Sequence, residues 1–277
     1  MPDKLTLAID QGTHSTRAVV FDGQGRVVAL ARKPVSLQRR NRKQVEQSPG
    51  EILESLHAVM GDILRHPAVD PARIKAAGLA TQRSSVLAWE RNTGKALSPV
   101  LSWQDTRSAE KLKGLEAYAV EIRQRTGLRL SPHYGAGKLQ WLLANHPDLA
   151  SARKEGTLVM GPLASYLLHH LLQRSDEIID HANASRTLLW NLNERNWDDW
   201  LLKLFAIPRE VLPECAPVTA DYGVTREGNI PLAAVNGDQT AALYAQGIPA
   251  TNTILVNMGT GAFVLMPTAT DCHWQPD

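Results

Sequence analysis

Residues 5–17, Leu5-Thr6-Leu7-Ala8-Ile9-Asp10-Gln11-Gly12-Thr13-His14-Ser15-Thr16-Arg17, decide how this chain is read. An apolar strand pattern from Leu5 to Asp10 runs into a tight turn of glycine and hydroxyls, and a second strand leaves it from Arg17 to Asp22. A third strand pattern, Arg26 to Lys33, makes the opening an antiparallel meander. Ser48-Pro49-Gly50-Glu51 then opens a helix whose apolar positions Ile52, Leu53, Leu56, Val59, Met60, Ile63 and Leu64 recur at helical spacing. Ser48 is placed to cap it, with Pro49 in the first turn. A strand at about Ile74 to Ala80 follows, so the order is mixed α/β with a crossover helix returning to the sheet.

Further along, Val86 to Glu90 predicts a strand ending at the Arg91-Asn92-Thr93-Gly94 turn, and Arg107 to Gln124 predicts a helix. A helix-rich stretch to about Leu204 includes Gly137 to Ala144 and Pro162 to Leu172, and reads as an insertion packed on the same domain. The last section repeats the logic of the first. Leu232 to Val235 is a buried strand pattern, Asp238 to Ala245 a helix, and Thr253 to Asn257 and Ala262 to Met266 are strands flanking Gly259-Thr260-Gly261, a second hairpin like the opening one.

The 277 residues are 43% hydrophobic and 21% charged, which fits a globular chain and not a disordered one. A formal charge of +2 gives no reason to expect a nucleic-acid or membrane partner, and the basic run from Arg39 to Lys43 reads as a solvated loop. No apolar run reaches the 18 or so residues of a membrane span, and the chain leads straight into a strand instead of a signal peptide, which points to the cytoplasm. Cys215 and Cys272 lack metal-type spacing, and His169-His170 read as part of a helix surface.

The first turn carries chemistry as well as topology. Glycine admits close approach of a ligand, successive N–H groups and hydroxyls can donate to phosphate oxygens, and the Asp10 carboxylate at the strand end can position magnesium, directly or through water. The competing reading is ordinary hairpin chemistry. Gly259-Thr260-Gly261 offers a second phosphate-sized concavity, and two such hairpins can grip one nucleotide from both sides. Asp238, after a buried strand, is either a helix N-cap or a general base that takes the proton of an attacking hydroxyl. Gln82-Arg83-Ser84-Ser85 and Ser102-Trp103-Gln104-Asp105-Thr106-Arg107 add polar groups and an apolar wall suited to a polyhydroxylated ligand; the alternatives are a surface ion pair for Arg107 and a core aromatic for Trp103.

Asp10-Gln11-Gly12-Thr13, Trp103-Gln104-Asp105-x-Arg107, Asn183-Ala184-Ser185-Arg186-Thr187, Ile207-Pro208-Arg209-Glu210-x-Leu212-Pro213, Gly237-Asp238-Gln239 and Gly259-Thr260-Gly261 together resemble the FGGY carbohydrate kinases, and within them the glycerol kinases and their relatives. The resemblance spans residue 5 to about 266 with the motifs in order. It implies an actin-like ATPase fold of two ribonuclease-H-like α/β domains, with ATP, Mg2+ and a sugar or polyol in the cleft between them. It implies Asp238 as catalytic base, Asp10 near magnesium, and Gly12, Thr13, His14, Ser15, Arg17, Gly259, Thr260 and Gly261 around the nucleotide phosphates. Gln82, Arg83, Ser84, Trp103, His133, Gln239 and Phe263 are expected near the substrate.

Two departures bear on the substrate: Ser84 stands where the glycerol kinases have Glu, and His133, with Tyr134 beside it, where they have a substrate-contacting Tyr. His14 also replaces a hydroxyl residue in the phosphate loop. Family members are longer than this chain, so residues 1–247 are expected to be the amino-terminal, substrate-binding domain with its mixed sheet and helical insertion. Residues 248–277 are then the first hairpin of a truncated second domain, with the adenine-binding residues absent. The alternative is a non-catalytic polyol-binding half-kinase or interaction module; a homo-oligomer is left open.

Overall fold

The computed structural model of the chain describes residues 4–174, 176–251, 253–258 and 262–268. The opening meander is formed by Leu5–Gln11, Ser15–Phe21 and Val27–Pro34, paired antiparallel in sequence order. Alternation along the first strand sends Leu5, Leu7 and Ile9 into the core, the period-two pattern of a strand packed on one face. The helix Pro49–Leu64 lies against this sheet and buries Ile52, Leu56, Val59, Met60 and Ile63 completely. Its start is fixed as the sequence suggests: Ser48 Oγ accepts the Glu51 N–H at 3.3 Å, a cap worth roughly 1 kcal/mol, and Pro49 occupies the first turn.

That helix returns the chain to Ile74–Thr81, which pairs parallel to Leu5–Gln11, and Leu232–Gly237 adds parallel on its far side. The sheet order is thus Leu232–Gly237, Ile74–Thr81, Leu5–Gln11, Ser15–Phe21, Val27–Pro34. Register then does the positioning. Gln11 is level with Thr81 and Thr81 with Gly237, so three parallel strands end on one line, and the residues after each are delivered to one edge. Ligand sites of α/β sheets lie at such carboxyl ends.

A second five-stranded sheet, in the order Gln38–Arg39, Val45–Gln47, Val100–Leu101, Val86–Glu90, Leu158–Pro162, was not anticipated as a unit; only Val86–Glu90 had a readable strand pattern. The middle section is therefore helices around a sheet. The helix expected from Arg107 to Gln124 is broken into Ala109–Lys113, a 3-10 turn at Glu116–Tyr118, and Ala119–Thr126, with Gly114 closing the first piece. Gly135–Asn145 and Leu163–Leu171 form as expected. His169 does not sit on a helix surface. It is buried with Nδ1 3.0 Å from Glu177 Oε1, the same oxygen that accepts the Trp89 Nε1–H at 3.4 Å.

The basic loop is exposed and bound to its neighbours, Arg40 to Glu46 at 2.5 Å and Arg39 to Gln104. Leu255–Met258 and Ala262–Leu265 form an antiparallel hairpin paired, among the described residues, only with each other. No helix among the described residues is long and apolar enough to cross a membrane.

Candidate active site

The first loop is held by its own backbone, with the Gly12 N–H bonded to the Ser15 carbonyl at 3.0 Å. A Cβ at Gly12 would meet only that carbonyl, at an ordinary 3.4 Å, so packing inside the fold does not demand glycine here. Thr13 is fixed from two sides: its carbonyl accepts from Gln47 Nε2 at 2.8 Å and its hydroxyl from Trp103 Nε1 at 2.9 Å. Trp103 is thus half-buried and tethered at the strand ends, not a core aromatic. His14 is exposed and Ser15 buried. Arg17 is exposed, its Nη1 3.5 Å from Asp10 Oδ2. Burial pushes the Asp10 carboxyl above the usual range, against the opposing pull of Arg17.

The second strand end delivers Gln82 and Arg83. Gln82 is buried, with Nε2 within hydrogen-bond reach of Gln11 Oε1, Gln47 Oε1 and the Gly12 carbonyl, so it locks the two loops together. Arg83 runs across the backbone of Gly237, where a Cβ would stand 2.3 Å from its Cδ. This close approach is a local reason for glycine at 237. The guanidinium reaches Thr240 Oγ1 at 3.2 Å and Asp238 Oδ1 at 3.7 Å. Burial, then the charge of Arg186, lower its pKa to about 10.

The third strand end delivers Asp238 and Gln239. The capping position of the short helix Asp238–Ala242 is Gly237, and Asp238 makes no side-chain cap; its Oδ1 instead accepts the Gln239 N–H at 2.7 Å. The N-cap reading of Asp238 is therefore set aside. Burial raises its pKa, with the charge of Asp10 adding to the rise and Arg83 opposing it.

Thr13, Gln82, Arg83, Trp103, His133, Asp238, Gln239 and Phe263 line one cavity of about 140 Å³. That is a small cleft, roomy enough for several waters or a small polyhydroxylated molecule. Hollows of about 590 Å³ beside Leu112 and Val120 and about 530 Å³ beside Leu79 and Tyr244 are larger, but neither gathers these polar groups, so chemistry and not size singles out the smaller one. His133 meets Trp103 edge-on at 5.8 Å between ring centres. Burial, with Lys138 and then Arg186 and Arg83 adding to it, lowers its pKa to about 4, so the imidazole is neutral at physiological pH.

Ser84 lies outside the lining: it is buried at φ 64°, with its hydroxyl 3.4 Å from the Arg186 carbonyl. Arg107 also stays out. Its side chain is only 4% exposed, bonded to Asp105 and, at 2.7 Å, to Glu46, and stacked over Trp141. It is a buried ion pair, neither a surface one nor a ligand group. Gly259, Thr260 and Gly261 lie outside the described residues.

Two contributors, Thr240 and Lys138, carried no signal in the sequence as read, and Arg186, part of the Asn183–Thr187 motif, was given no role there. Thr240 holds Arg83. Lys138 is fully buried and its Nζ donates to the Ser84 carbonyl at 2.9 Å and the His133 carbonyl at 2.7 Å, tying two cavity segments together. Burial lowers its pKa to about 7. Arg186 lies over Tyr134 at 4.9 Å and reaches both Arg83 and His133 with its charge.

The fold and its site define a mixed α/β domain with its polar groups at the carboxyl ends of three parallel strands. The model of the FGGY family of carbohydrate kinases, N-terminal domain, matches residues 5–244, and the chain belongs to that family. It is 38% identical over 268 residues to a glycerol kinase of Acinetobacter baylyi, covering 95% of this chain and 54% of the relative. With a glycerol kinase of Thermus brockianus it is 39% identical, covering 98% and 56%. Among solved structures, Plasmodium falciparum glycerol kinase with ADP superposes with a TM-score of 0.88 at 29% identity, over 95% of this chain and 54% of that one. Xylulose kinase from Rhodospirillum rubrum, at 20% identity, shares the fold with a TM-score of 0.87, over 97% and 56%. The chain spans about half the length of the curated relatives it matches.

Proposed function

We propose that this chain is the substrate-binding part of a kinase that transfers the γ-phosphoryl group of ATP to a hydroxyl of a sugar or polyol. The observation that carries this reading is the single small cavity that gathers Asp238, Arg83, Gln239 and Trp103 at the ends of the parallel strands. Asp238 is the general base: the hydroxyl oxygen bonds to phosphorus, its proton passes to the carboxylate, and the bond to the bridging oxygen of ADP breaks. A base with a raised pKa holds a proton better than an ordinary carboxylate, and burial supplies that rise here. Arg83 orients the base and the bound hydroxyls, Gln239 and His133 offer further hydrogen bonds, and Trp103 and Phe263 are the apolar walls.

The Gly12–Arg17 turn is the phosphate side, and a glycine at 12 that the fold does not require suits close approach of phosphate oxygens. Asp238 feels the charge of Asp10 at this edge, and two carboxylates there are a donor set suited to magnesium, which binds through one or two carboxylates plus substrate phosphates. When bound, the ion would neutralise charge on the transferred group. Residues 248–277 begin a second domain: the hairpin has no other strand beside it among the described residues, and Val256, Met258, Val264 and Met266 are exposed on it. The test is phosphorylation of a sugar and polyol panel by the intact protein. Turnover of at least one member is expected; ATP-independent binding alone would favour the non-catalytic module.

A further inference from the structure

Two walls of the cavity come from segments far apart in the chain. Gln82 and Arg83 follow the strand Ile74–Thr81, and His133 precedes the helix Gly135–Asn145. A site works only if such walls are held to within about 0.5 Å of the productive geometry. Both walls are fastened to a third segment, residues 183–187, to which the chemistry above gives no task.

The strand end is fastened through a buried polar chain. Thr81 Oγ1 donates to Asn183 Oδ1 at 3.3 Å, Asn183 Nδ2 donates to Asp180 Oδ1 at 2.8 Å, and Asp180 Oδ2 accepts the Asn183 backbone N–H at 2.9 Å. Thr81, Asn183 and Asp180 are each no more than 1% exposed. An ionised carboxylate only accepts, so Asp180 takes the amide nitrogen and turns the amide oxygen to Thr81. The Asn183 side chain is thereby held in one orientation against the residue that is level with Gln11 and Gly237 on the line of strand ends.

The other wall is fastened by the backbone of the same turn. The first N–H groups of a helix have no partner within it, and Tyr134 makes no side-chain cap for Gly135–Asn145. The Gly135 N–H donates instead to the Arg186 carbonyl at 3.4 Å, and the Ala136 N–H to the Thr187 carbonyl at 2.6 Å. A Cβ on Gly135 would stand 3.3 Å from Thr187 Cα, so helix and turn lie backbone against backbone. The Arg186 carbonyl also accepts the Ser84 hydroxyl at 3.4 Å, next to Arg83, and the Arg186 N–H returns to the Asn183 carbonyl at 3.1 Å.

We propose that Asn183 is a positioning residue: bound to Thr81 on one side and to its own turn on the other, it sets the spacing of Arg83 and His133 across the substrate cavity. This deepens the kinase reading and rests on it. Asn183 does not line the cavity and acts on the bound hydroxyls only through the two walls. The phosphate turn has further supports of its own, Gln47 and Trp103 on Thr13, so the nucleotide should feel a change at Asn183 less than the polyol does.

The experiment measures kcat and KM, for ATP and for the panel member that the wild type turns over fastest, in the intact protein and in Thr81→Val, Thr81→Ser and Asn183→Ala. Thr81→Val deletes the hydroxyl that meets Asn183 and is expected to raise the polyol KM at least about tenfold, with a much smaller change for ATP. Thr81→Ser restores that hydroxyl and should return the polyol KM close to the wild-type value. Asn183→Ala keeps its backbone cap on Asp180 and should raise the polyol KM at least as far as Thr81→Val; the double variant should go no further, since both act through one bond. A merely structural role would lower the active fraction, and with it kcat, while leaving KM unmoved. An unchanged polyol KM in Thr81→Val, an equal rise for ATP, or no recovery in Thr81→Ser overturns the inference and leaves the kinase reading standing. Turnover of no panel member by the wild type overturns both. Should Asn183→Ala fail to fold, the two Thr81 variants decide alone.

Discussion

Arg83 and Arg107 both have side chains largely shielded from solvent, 11% and 4% exposed, yet the protein treats them oppositely. Arg107 is enclosed by Asp105 and Glu46, and although burial alone would weaken its charge, their hydrogen bonds and charges hold its pKa above the ordinary value. Arg83 has one carboxylate at 3.7 Å, and burial together with Arg186 lowers it to about 10. The first is a closed account of charge inside the fold. The second leaves donors available, which is what a binding site needs and a core does not.

The largest effect should come from breaking the closed cluster. Arg107→Ala leaves Asp105 buried without its cation and Glu46 with only the exposed Arg40, and is expected to cost about 3–5 kcal/mol of stability, read from the urea midpoint. Gly237→Ala should come next, since its methyl would overlap Arg83 and force it aside; overpacking of this kind costs about 1–3 kcal/mol, and polyol affinity measured by calorimetry should fall with it.

Lys138→Met, which strips the Ser84 and His133 carbonyls of their donor, is expected to cost about 1–3 kcal/mol near pH 9. It has a pH signature as well. A lysine whose folded pKa is lowered to about 7 binds more protons when unfolded, so wild-type stability should rise with pH above 7 at up to about 1.4 kcal/mol per unit, until the unfolded lysine itself loses its proton near 10.4. The Met variant should lack that rise. Smallest in stability is Arg83→Gln, expected within about 1 kcal/mol because the native guanidinium is incompletely paired, while substrate KM rises at least about tenfold. Equal stability losses at Arg83 and Arg107 would erase the distinction.

Much of this was legible in the sequence for local reasons. The meander, the Ser48 cap and the crossover strand are written in short-range alternation and helical spacing, and the three strand-end motifs follow from them. The second sheet was not legible because strands of two or three residues such as Val45–Gln47 and Val100–Leu101 have no periodicity and exist only through pairing across more than fifty residues of chain. Gly114 broke a helix that its neighbours' propensity favoured. Within the site, Trp103, Arg83 and Asp238 were readable as polar or aromatic residues beside strand ends. Lys138 was hidden in an apolar helix, and the turn at residues 183–187 acts through bonds between segments far apart in the chain, which no single sequence displays. Ser84, expected near the substrate, differs for a backbone reason: at φ 64° its hydroxyl donates to the Arg186 carbonyl and it stays out of the cavity lining.

The most direct test of the account is Asp238→Asn in the intact protein, assayed by phosphoryl transfer to whichever polyol the wild type uses. With the base gone and its shape kept, kcat should fall by about 10²–10⁴ while stability is unchanged or slightly higher, since a buried carboxylate with a raised pKa is removed. The wild-type rate should also decline, as pH is lowered, at a pH above the usual carboxylate range. An Asp238→Asn protein that turns over at the wild-type rate would contradict the account.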